Sequence, residues 1–206
     1  MNETRYAIPA GEHEIEIVIR RSRFIGSAAY TPTVAAARAF IADIRRRYPD
    51  ATHHVYAFAV GYGASVTHGM SDDGEPSGTA GKPTLAVVRG SGLGDVTVVT
   101  TRYFGGTKLG TGGLVKAYTE AAQLVLAEIP RTEKVNKSNV SVTIPYRFYE
   151  PLQRLATQFE GEIIAETFAA EVQLTLTLPV SAVNDFSAAL SELTGGQIQP
   201  EIAPDG

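Results

Sequence analysis

VTVVTTRYFGGTKLGTGGLVKAY, Val96 to Tyr118, decides how the larger part of this chain folds. The β-rich run Val96–Tyr103 reads as a central strand. From about Thr111 to Ile129, Leu114, Tyr118, Ala121, Val125 and Ile129 recur at helical spacing as a buried stripe. Strand therefore gives way to a long helix across a glycine loop, a junction where the first helical amides lack intrahelical partners and point into the loop. Gly105, Gly106, Gly110, Gly112 and Gly113 permit close backbone approach, Arg102, Lys108 and Lys116 bring positive charge, and Thr107 and Thr111 add hydroxyl donors. Together these describe an anion site, phosphate above all. The spacing is neither that of a P-loop nor that of a dinucleotide fingerprint, and a purely structural loop fits the same residues. Tyr103 and Phe104 at the strand end suit either stacking on a base or packing in the core.

Upstream lies a second glycine-rich stretch, SDDGEPSGTAGKP, Ser71 to Pro83. Its Lys82 is counted with the anion-binding set. Asp72, Asp73 and Glu75 share this short segment just ahead of a helix that Thr79 or a neighbour opens, with Pro83 tolerable only in the first turn. Three readings stand: a tight turn whose carboxylates favour the positive helix end, a hard-cation site, or carboxylates holding the basic residues of the later motif in place. The spacing is not that of an EF-hand, and no metal is assigned. His53, with Asp72, Asp73 and Glu75, forms a candidate polar site. His53 and His54 face opposite sides of one strand, and His68 lies on a neighbouring strand. No serine-nucleophile elbow surrounds Ser71 or Ser77, so no catalytic residue is assigned.

Working outward, Ile15, Ile17 and Ile19 alternate as a half-buried strand, and SRFIGSAAY from Ser22 returns as its hairpin partner. Thr33 caps a helix with Val34, Ala37, Ile41, Ile44 and Tyr48 on one face, stopped at Pro49. Arg45, Arg46 and Arg47 crowd its last turn, complementing the negative helix end and remaining hydrated. HHVYAFAV from His53 and ASVTH after GYGA read as strands. The order β-β-α-β-β-α-β-α is an α+β sandwich covering residues 1–136, with PRTEKVNKSN as the joint. Over 137–206, Val140, Val142 and Ile144 alternate. Pro151 starts a helix bearing Leu152, Leu155, Ala156 and Phe159 that Gly161 closes. VQLTLTL is a strand, Ser181 caps a helix ended by Gly195, and a last strand falls near Gln197. This is β-α-β-β-α-β, the ferredoxin-like plan.

Composition narrows the function classes. Hydrophobic residues at 44% and charged residues at 19% exclude a disordered or fibrous chain, and the absence of Cys excludes disulfides and thiolate chemistry. No signal-like N-terminus and no apolar run of membrane-spanning length occur, so a cytoplasmic protein without membrane contact is expected. The net charge is −4, but residues 1–136 carry +2 and residues 137–206 carry −6. Any anion-binding surface should therefore lie in the first part.

SDDGEPSGTAGKP and VVTTRYFGGTKLGTGGLVKAY together resemble the signature of the YigZ/IMPACT family, and SRFIG and ATHHVYAFAVG resemble its segments at the expected places. The resemblance spans about residues 15–129 for the IMPACT-type domain, with the acidic region from about 137 resembling the bacterial C-terminal extension. It implies a first domain like the second domain of a small-subunit ribosomal protein and a second domain similar to the C-terminal domain of elongation factor G. It also implies a link to translation through RNA or ribosome binding. Eukaryotic impact proteins bind an activator of a starvation-responsive kinase using a further domain that has no counterpart in this sequence, so that contact is not transferred. One departure is ATHHVYAF, where many relatives have Asn and Cys after the first His, which weakens any role for His54. The anion-site residues and the link to translation that the resemblance implies together favour a non-enzymatic, translation-associated protein without cofactor, gripping RNA phosphate through Arg102, Lys108 and Lys116. The alternatives are a metal-assisted enzyme on a phosphorylated or peptide-like substrate, with His53 as base, and a protein-interaction module.

Overall fold

The computed structural model describes residues 5–202, which divide into one unit through Lys134 and another from Val135. The first unit is built on β2 (His13–Ile19), β3 (Ser22–Tyr30), β4 (His53–Val60), β5 (Thr67–Ser71) and β6 (Val96–Tyr103). They form one antiparallel sheet in the order β2-β3-β6-β4-β5. The central place of β6 explains its unbroken apolar and Thr sequence, since both faces are covered. On one face lies α1 (Val34–Arg47), packing Ala37, Ile41 and Ile44 against Phe58 and Val99. On the other lie α2 (Gly81–Gly90) and α3 (Gly110–Glu128), whose Val88, Leu114, Tyr118, Ala121 and Val125 cover Phe24, Val55, Ala57 and Val98. Thr33 caps α1 as its sequence indicates, its hydroxyl accepting from the Ala36 amide at 3.0 Å.

Two short strands extend the expected order. β1 (Arg5–Pro9) pairs with β7 (Arg131–Val135), which forms inside the segment read from sequence as the joint. Both are five residues long, too short for alternation to declare them, and Arg5 and Glu133 join across the pair at 3.2 Å. The fifth strand of the sheet runs later than ASVTH, reaching Ser71 and so delivering the acidic stretch directly from a strand end.

The second unit comprises β8 (Lys137–Ile144), α4 (Tyr149–Gln158), β9 (Glu162–Phe168), β10 (Val172–Pro179), α5 (Val183–Leu193) and β11 (Glu201–Ile202). The order β11-β8-β10-β9 is that of the split βαβ plan. Val140, Val142, Leu174 and Leu176 meet Leu152, Phe186 and Leu190 in its core. Three local expectations are corrected. Ser181 caps nothing: a 3-10 turn, Val180–Ala182, feeds α5, which has no side-chain cap. Glu160, not Gly161, takes the left-handed backbone after α4 (φ 55°), while Gly161 donates to the Ala156 carbonyl and lies where a Cβ would meet Leu178. The last strand begins at Glu201, beyond Gln197. The chain is thus a two-domain α+β protein.

Candidate functional site

The antiparallel register sets Arg102 on β6 between His53 on β4 and Phe24 on β3, on the sheet face covered by α2 and α3. That placement brings the two glycine-rich motifs together. Arg102 is only 5% exposed, and its Nη1 donates to Glu75 Oε1 at 2.5 Å. Tyr118 on α3 donates its hydroxyl to the same oxygen at 2.8 Å. His53 Nδ1 donates to the Asp73 carbonyl at 2.7 Å, leaving Nε2 3.9 Å from Glu75 Oε1. The Arg102 guanidinium lies over the rings of Phe24 and Phe104, at 5.4 and 5.6 Å from their centroids. Burial, with the Glu75 charge and hydrogen bond next to it, drives the Tyr118 phenol far above its ordinary pKa, so this hydroxyl stays protonated and a donor.

Arg102 therefore departs from the expected phosphate-gripping cation. Its charge is enclosed and matched by Glu75, which fixes the end of β6 and the start of the loop. The next residues are clamped too. The Arg102 carbonyl accepts from Thr52 N at 2.8 Å, Phe104 N donates to Thr52 Oγ1 at 3.1 Å, and Gly105 N donates to Ser22 Oγ at 3.1 Å. A Cβ on Gly105 would fall 2.1 Å from the Arg21 carbonyl, so only glycine lets the loop pass the β2–β3 hairpin. Tyr103 spends its hydroxyl on Asp50 at 2.8 Å and carries the Arg23 guanidinium over its ring. Phe104, 48% exposed, presents an open aromatic edge.

The three carboxylates take different duties. Asp72 satisfies the start of α2: Oδ1 accepts from Ala80 N (3.0 Å) and Gly81 N (2.8 Å), and Oδ2 from Gly78 N (2.8 Å). Burial pushes its pKa up, but these three amides outweigh burial and hold it below the ordinary carboxylate value. Of the residues expected to open α2, the neighbour Ala80 rather than Thr79 precedes the helix, and Thr79 donates its hydroxyl to the Pro76 carbonyl. Asp73 binds Arg45 and the His54 amide. The three arginines in the last turn of α1 are paired rather than merely hydrated: Arg45 with Asp73, Arg46 with Asp43, and Arg47 with Glu12 and Asp43. Glu75 holds Arg102. Among the described residues no group of three or more His, Asp or Glu side chains is placed to hold a metal ion. His54 lies on the opposite face, buried, donating from Nε2 to the Tyr48 carbonyl at 3.0 Å. Its pKa is lowered because burial outweighs that bond. His68 stands exposed on β5, away from His53.

What stays open is the start of α3. Leu109 supplies no side-chain cap, and no acidic residue lies in the first turn. Gly106, Thr107, Lys108, Gly110, Thr111, Gly112 and Lys116 are all exposed, with Gly113 half-buried. Gly106 and Gly110 have φ of +80° and +75°, conformations that leave the loop to glycine. Gly112 is different: it is helical, and a Cβ there would meet nothing within 4 Å. Glycine in a helix costs about 1 kcal/mol relative to alanine, so nothing in the fold accounts for its being there. Among the described residues Lys82, Lys108 and Lys116 have no ion-pair partner. The sequence reading missed Arg20 and Arg21. They form the β2–β3 turn with φ of +47° and +68°, and Arg20 borders the same hollow as Gly113 and Lys116. An Arg-Arg pair between two strand-like runs, where Asn-Gly is favoured, is the signal the sequence offers.

The fold and this glycine-rich junction are those of a two-domain Impact-type protein: the Impact N-terminal domain matches residues 20–126, and a domain of unknown function, DUF1949, matches residues 142–197. The chain is 40% identical to the IMPACT family member YigZ of Escherichia coli (strain K12), over 94% of this chain and 96% of that one. It is 34% identical to the IMPACT family member YvyE of Bacillus subtilis (strain 168), over 91% and 85%. A solved structure described as "Crystal structure of an hypothetical protein" superposes with a TM-score of 0.72 at 39% identity, covering 98% of this chain and 99% of that one. The chain belongs to the IMPACT family. Among the described residues no helix is long and apolar enough to cross a membrane.

Proposed function

We propose that the protein is translation-associated and cytoplasmic, and binds RNA, free or on the ribosome, by receiving backbone phosphate at the start of α3. The observation that carries this reading is the contrast between two neighbouring helix starts. The α2 start is closed by Asp72, whereas the α3 start has exposed amides, no side-chain cap, no carboxylate in its first turn, and Lys108 and Lys116 beside it. Amides at a helix start and unpaired lysines favour phosphate oxygens without reading bases, so binding tolerates sequence. Thr107 and Thr111 add donors, and Phe104 offers a ring for stacking. The buried Glu75–Arg102–Tyr118 cluster serves this site indirectly, holding the loop's base still while its tip stays open.

The test is pelleting of the intact protein with ribosomes, alongside filter binding to unrelated RNA sequences, at low salt. The reading expects retention with both, and Lys108→Ala should weaken affinity by a similar factor for every sequence. Absence of RNA and ribosome affinity at low salt overturns it.

A further inference from the structure

A second surface of the first unit lies outside this site. The helices α2 and α3 run side by side in the same direction, because each follows a strand and β5 and β6 point the same way. Between them runs an open groove of about 900 Å³. Its walls are mostly apolar: Ala86 on α2, and Val115 and Ala127 on α3, are exposed, with Val115 at 39%, Leu126 lies beneath, and Ser91, Thr119 and Gln123 add polar side chains. The charged side chains lining it are Lys82 at one end and Arg131 at the other, and no carboxylate lines it.

We infer that this groove is a docking site for an amphipathic helix of a partner protein, with carboxylates flanking its apolar stripe. Its chemistry selects a protein helix over RNA: the mostly aliphatic walls offer a guest helix apolar contact and give bases no aromatic platform. The length agrees. Val115 to Ala127 spans about 18 Å along α3, the length of a helix of roughly three turns presenting anchors at i, i+4 and i+7. The small walls let the guest backbone approach closely. The charges set the flanks: Lys82 places a cation at the first end and Arg131 one at the second. Neither cation has an acidic ion-pair partner among the described residues, so a guest carboxylate displaces no existing pair. This inference is independent of the RNA reading, although Lys82 is counted in both.

The test is selection of a displayed library of three-turn helices, with randomised faces and ends, against the intact protein. Enriched helices should carry aliphatic residues at i, i+4 and i+7 and Asp or Glu at their ends. Synthesised as peptides, they should lose at least tenfold in affinity to Ala86→Arg and to Ala127→Arg. Both changes fall on exposed helical positions, so an unchanged melting profile separates lost docking from lost folding. The same peptides should bind Lys108→Ala as they bind the unaltered protein, which keeps this result distinct from the fate of the RNA reading. The proposal is overturned if no helix is enriched, or if the enriched ends are basic or neutral. It is equally overturned if binding ignores both arginine substitutions. Sedimentation of the protein alone covers the remaining occupant: a dimer that Ala86→Arg dissolves would assign the groove to a second copy of this chain.

Discussion

Gly112 and Glu75 place the opposing demands of this site in two residues. Gly112 occupies a helical position with open space around it, so replacing it by alanine should stabilise the fold by up to about 1 kcal/mol. If the bared backbone receives phosphate, the same change should weaken RNA binding several-fold. Thermal melting together with filter binding checks the pair of effects, and opposite signs are the expected result. Glu75 is the reverse case. It is buried and takes hydrogen bonds from Arg102 and Tyr118, so Glu75→Ala strands the guanidinium without its counter-charge. Loss of one member of a buried pair costs about 3–5 kcal/mol, to be read from the urea midpoint. Sequence exposed these residues as a set but not their division of labour. Asp72, Asp73 and Glu75 look alike on paper. Only the register of His53 opposite Arg102, a long-range pairing, sends one to a helix start, one to Arg45 and one to the core.

At the scale of elements, α2 and α3 begin alike in sequence and differently in space. Asp72 reaches across nine positions to the α2 amides, and Asp72→Ala should cost about 1–2 kcal/mol of stability. Because the folded state lowers its pKa, the Asp72 contribution is complete above the unfolded value, near 3.8, and fades as pH falls through the lower folded value. Urea denaturation across that acidic window should therefore show a smaller acid-induced loss for Asp72→Ala than for the unaltered protein. Strong periodicity made α1, α3 and β10 legible, an unbroken β-rich run did the same for β6, and Thr33 shows that a local cap is legible too. β1 and β7 were not, since five residues with little alternation draw their stability from each other across the chain. The same distance hid the cap of α2, which Thr79 next door does not supply.

For the whole molecule, charge is partitioned between the two units. Residues through Asn136 sum to +2 and the remainder to −6, yet most arginines of the first unit are matched by carboxylates. Of the cations left over, Arg38, Arg89 and Arg131 lie elsewhere, while Lys82 lies in the first turn of α2, Lys108 and Lys116 flank the start of α3, and Arg20 borders the same hollow as Lys116. A phosphate receptor built from three such lysines should give single-stranded RNA binding whose log affinity falls with log salt at a slope of about −2. The decisive measurement is that slope, taken with a single-stranded oligoribonucleotide for the unaltered protein and for Lys108→Ala. The account predicts binding at low salt, a slope near this value, and a decrease in its magnitude of about 0.7 on removing Lys108. A salt-independent affinity, or a slope that Lys108→Ala leaves untouched, contradicts it.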